Sequence, residues 1–77
     1  MSTNFLELLD INEVKDLISD EIKKLALDAY TANLNKAIIV ATEGEDSTNL
    51  EQLAHKVGQI EEVIKIYQEE LERLNTL

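Results

Sequence analysis

The sequence predicts an all-α fold, an antiparallel two-helix hairpin, and three observations predict it. The 77 residues contain no proline and only two glycines, Gly44 and Gly58, too little punctuation for a chain of strands and tight turns. One stretch, Thr42-Glu43-Gly44-Glu45-Asp46-Ser47, collects the turn-forming residues in a single break. After it the apolar residues recur at alternating spacings of three and four without a fault from Leu50 to Leu74, which is the repeat of a helix pressed against a partner helix.

The first element is a short apolar segment, Phe5-Leu6-Glu7-Leu8-Leu9. Asn4 and Glu7 have the spacing of a capping box, so a separate N-terminal helix is expected there, although a helix so short has no stability alone. Asp10 and Glu13 form the next such pair, and a long helix is expected from about residue 11 to 42, roughly 48 Å in length. Ile11, Val14, Ile18, Ile22, Leu25, Ala29 and Ala32 share one face of it. A second apolar stripe, Leu27, Tyr30, Leu34, Ala37, Ile38 and Ala41, lies roughly 130–150° around the helix from the first. One partner helix cannot cover both, so this second stripe is the candidate partner interface.

The break at 43–47 is expected to be an acidic loop in which Gly44 takes the left-handed conformation that ends a helix. A second helix, from about 48 to 76, follows. Thr48 with Glu51 has capping-box spacing, and Ser47 is a rival cap. The seam of this helix is Leu50, Leu53, Val57, Ile60, Ile64, Tyr67, Leu71 and Leu74, over more than three heptads. Glu61 with Lys65 and Glu69 with Arg73 stand four apart with the acid first, the favourable order for helix-supporting ion pairs. Val63, Ile66 and Leu77 are apolar residues left outside the seam. The whole chain reads as one helical-hairpin domain, 1–77.

Size and charge narrow the function. A core built from 77 residues supplies marginal stability, which small proteins reinforce by disulfides, metals or oligomerisation. The chain has no cysteine, so disulfides and thiolate metal sites are excluded and a reducing compartment fits. Oligomerisation is what remains. The net charge of −9 comes from 16 carboxylates against 7 Lys and Arg, which disfavours nucleic-acid backbones and anionic membranes as direct ligands. No apolar run approaches the roughly 20 residues of a membrane span. The start, Met1-Ser2-Thr3-Asn4, lacks the basic region of a secretory signal. A cytoplasmic protein, or one within a viral particle, is expected.

No residue pattern points to catalysis. His55 is the single histidine, with Glu51 one turn before it; a transition-metal site needs three or four ligands, so a solvated residue on the back of the helix is expected. The acidic row Glu13, Asp16 and Asp20 and the cluster Glu69, Glu70 and Glu72 would need a concave, partly desolvated setting to act as acids or bases, and a thin hairpin offers none. Glu43, Glu45 and Asp46 lack the alternating oxygen ligands of a calcium loop. Neither a glycine-rich phosphate loop nor a nucleophile–base pair occurs. No cofactor is expected. The leading expectation is a non-enzymatic structural or assembly subunit that packs through apolar helix faces into a homo-oligomer or onto a larger protein, a description that a small viral or phage particle component fits. The alternative is a small acidic inhibitor that mimics nucleic acid and blocks a basic site on a target, which accounts for the charge and leaves the second stripe unexplained.

Overall fold

The computed structural model describes residues 5–77 and contains two long α-helices packed antiparallel, preceded by one 3-10 turn. α1 spans Ile11–Glu43 and α2 spans Thr48–Asn75. The molecule is a rod of 52 × 24 × 18 Å with a radius of gyration of 17.2 Å, whereas a compact domain of this length has about 11–12 Å.

α1 begins where Asp10 leaves the helical region and its carboxylate accepts the Asn12 backbone N–H at 2.8 Å, removing one of the four unpaired donors of the first turn. The helix then runs unbroken through Thr31–Asn35, despite the modest helix propensity of Thr and Asn, because the residues on either side pack against α2. It continues one residue past the expected end, through Glu43. Gly44 stops it at φ 92°, ψ 170°, with its N–H donated to the Ile39 carbonyl at 3.2 Å. The positive φ was expected; the ψ was not. This is the extended mirror region that only glycine enters freely.

α2 is capped by Ser47, not Thr48. The Ser47 hydroxyl accepts the Asn49 N–H at 3.2 Å and donates to the Glu43 carboxylate at 3.0 Å, and the same carboxylate accepts from the Asn49 side-chain amide. The last residue of α1 therefore helps fix the start of α2, which is why the serine nearer to it takes the cap. α2 ends at Asn75, where the Thr76 N–H and hydroxyl both turn back to the Arg73 carbonyl.

The segment Phe5–Leu8, expected as a short helix, is a single 3-10 turn, the geometry a four-residue piece takes because it cannot repay α-helix nucleation. Its expected cap Asn4 lies outside the described residues.

Between the helices runs the core. In α2 all eight positions of the Leu50–Leu74 repeat are buried or half-buried, and the rest of the helix is exposed apart from Glu70. In α1 the positions shielded from water after Ile18 are Ser19, Glu21, Ile22, Leu25, Ala29, Ala32, Lys36 and Ile39. From Ile18 through Ile22, Leu25, Ala29, Ala32 and Lys36 to Ile39 the spacing alternates four and three, so both helices present the same heptad seam. Ala29 and Ala32 let α2 approach, and counting outward from the loop places Ala32 level with the turn Val57–Ile60. Ala32, Val57 and Ile60 are all buried. A second buried pair, Ile18 and Leu74, closes the open end of the hairpin.

Candidate protein-interaction face

The hairpin seam leaves the opposite side of α1 without a partner. Leu27, Tyr30, Leu34 and Ile38 are between 51% and 65% exposed, and Ala37 and Ala41 are exposed as well. All six residues of the second stripe thus lie together on the outer face of α1, over about four turns. Val63, Ile66 and Leu77 are exposed too, on and beyond α2, without forming a run of comparable length.

The charge around this stripe is low. Residues 25–42 include only Asp28 and Lys36 as charged side chains, in a chain of which 30% is charged. The flanks of the stripe, about 90° to either side of it, carry Thr31, Asn33 and Asn35, all exposed. An apolar strip rimmed by uncharged hydrogen-bonding groups has the anatomy of a protein interface.

The scale of exposure is large for the whole molecule. Among the described residues, five apolar ones are buried, while twelve large ones remain exposed. The accessible surface is 6085 Å², against about 4,700 Å² for a compact monomer of the same mass. The excess, on the order of 1,300 Å² on one chain, is more than the about 800 Å² that each partner contributes to a standard protein–protein interface.

The Phe5–Leu9 segment is the nearest chain that could cover the stripe, and it does not. Phe5, Leu6 and Leu9 lie at the other end of the rod, where they line an open groove of about 530 Å³ with Val14, Ile18 and Leu74. Leu74, in the last turn of α2, is 2% exposed and lines the same groove as this segment. The sequence reading missed the arrangement. The signal was present in Leu9 and Val14, which flank the Asp10 cap at the two positions of a hydrophobic staple and fix the angle at which the chain enters α1.

The same groove explains a difference in ion pairing. Arg73, expected to pair with Glu69, pairs with Glu70: the guanidinium lies 2.5 Å from the Glu70 carboxylate and Nε donates to it at 2.6 Å. Glu70 is half-buried at the groove edge and Arg73 lines the same groove, so the pair forms where both are partly shielded, while Glu69 points to water. The other ion pair among the described residues is Lys24–Glu21 at 3.3 Å, and Glu61 and Lys65 form none.

Lys36 and Ile39 are the seam residues that sequence reasoning missed. Lys36 interrupts the apolar pattern, so the stripe was ended at Ala32. A half-buried lysine at a seam position packs its methylene stem while its ammonium stays in water, and the repeat resumes at Ile39.

His55 and Glu51 are both exposed. Among the described residues, no group of three or more His, Asp or Glu could hold a metal ion. A second groove, about 390 Å³ at the loop, is lined by Glu45, Asp46, Ser47, Leu50, Glu51 and Ala54. No described helix is long and apolar enough to cross a membrane. Comparison with protein families, curated proteins and solved structures finds no match for this chain.

Proposed function

We propose that this protein is a non-enzymatic structural or assembly subunit whose outer α1 face, Leu27 to Ala41, packs against other protein chains. The observation that carries the reading is the pairing of a very small core with a long unpartnered apolar stripe. A rod whose radius of gyration is 17.2 Å buries too little of itself to be stable by a wide margin, and burying a second face adds what the hairpin lacks. Small rod-like subunits of this kind suit repetitive assemblies, and a component of a viral or phage particle is one setting that fits.

The discriminating experiment is the mass of the protein in solution over a range of protein and salt concentrations. The reading expects particles above 8.7 kDa whose association survives high salt, because apolar contacts are not screened. A protein that is monomeric at every concentration, and that joins a basic target in a complex lost steeply with salt, would instead support an acidic charge mimic.

A further inference from the structure

The outer stripe has an internal symmetry that identifies its occupant. Five of its six residues, Leu27, Tyr30, Leu34, Ile38 and Ala41, stand at −7, −4, 0, +4 and +7 relative to Leu34, and the sixth, Ala37 at +3, has Thr31 as its counterpart. A helix with that spacing reads the same in both directions, so an antiparallel copy of itself presents side chains at matching heights. The sizes match as well. In that register Leu27 meets the small Ala41 of the second copy, Tyr30 meets its Ile38, and Leu34 meets Leu34 on the two-fold axis, the self-complementary pattern of an isologous contact.

The charge along the stripe permits the same register. A protein of net charge −9 meets itself most readily where its own carboxylates are few, and the stretch 25–42 holds Asp28 alone. Complete burial of the four large apolar side chains of each copy, each more than half exposed, approaches the roughly 1,000 Å² that a specific interface needs.

The geometry points to a two-fold dimer in which α1 packs antiparallel on α1 of a second copy, with the axis at Leu34. This rests on the assembly reading above and names its partner. Because the stripe and the seam lie on nearly opposite sides of α1, the four helices form a layer in the order α2, α1, α1, α2.

Cysteine placement tests the register directly, since the chain has no cysteine of its own. Leu34→Cys is expected to give a covalent dimer with a short bis-maleimide. Tyr30→Cys and Ile38→Cys are each expected to cross-link weakly alone and strongly when the two proteins are mixed, and Ile66→Cys is the surface control. If the unmodified protein is dimeric but Leu34→Cys cross-links no better than Ile66→Cys, this register is wrong while assembly through another face stands. A protein that stays monomeric at every concentration overturns both the dimer and self-assembly, and leaves the stripe to a different protein.

Discussion

Two isoleucines one and a half turns apart on α2 test the packing account most sharply, because their chemistry is identical and their surroundings are opposite. Ile60 is 8% exposed in the seam, level with Ala32, whereas Ile66 is 63% exposed. Replacing Ile60 by alanine removes buried methyl and methylene groups and leaves a cavity that a straight helix pair closes only in part. The cost is about 2–5 kcal/mol. A domain of this length has a total stability of roughly 4–12 kcal/mol, so Ile60→Ala should lower the melting temperature by roughly 10 °C or more. Ile66→Ala removes side-chain surface that was already in water and should stay within about 0.5 kcal/mol of the parent. Thermal denaturation followed by circular dichroism, with all three proteins at one concentration, reads both effects. If Ile60→Ala melts with the parent, or if the two variants fall together, the heptad seam is not what holds the helices.

The remaining predictions concern caps, glycines and the histidine. Gly58→Ala should stabilise α2 by about 0.5–1 kcal/mol, since a β-carbon there meets open space and alanine is the better helix former; Gly44→Ala should destabilise by about 1–3 kcal/mol although its β-carbon is equally unhindered, because φ 92° strains any other residue. Denaturant titration of the two variants should show opposite signs. Ser47→Ala loses the α2 cap and its bond to Glu43 and should cost about 0.5–2 kcal/mol, whereas Thr48→Ala should cost less, as read by chemical denaturation. His55→Ala should be silent in thermal melts, because the side chain is exposed on the back of α2.

The seam of α2 was legible in the sequence because the 3-4 repeat is unbroken and each of its members is apolar. The seam of α1 was legible only to Ala32: two alanines weaken the hydrophobic signal and Lys36 breaks it, so Ile39 looked unattached until α2 was seen to lie alongside. The outer stripe could be separated from the seam by angle alone, since residues far apart around a helix cannot face one neighbour. Its exposure could not be read that way, because the Phe5–Leu9 segment was a possible cover. Where that segment goes depends on the entry angle at Asp10, a matter of backbone geometry. The choice of Ser47 over Thr48 depended on Glu43, whose inclusion in α1 by one further residue brought its carboxylate to the start of α2. The pairing of Arg73 with Glu70 depended likewise on which acid the groove shields.

The central claim is that the stripe on the outer face of α1 holds the protein in an assembly, and sedimentation of the parent beside Leu34→Gln/Ile38→Gln tests it most directly. Both substituted side chains are more than half exposed, so helix content should be unchanged. The parent should sediment above the 8.7 kDa monomer and the double variant should return to it. A parent that sediments as a monomer at high concentration would contradict self-assembly, and a double variant that keeps the parent's mass would contradict assembly through this stripe.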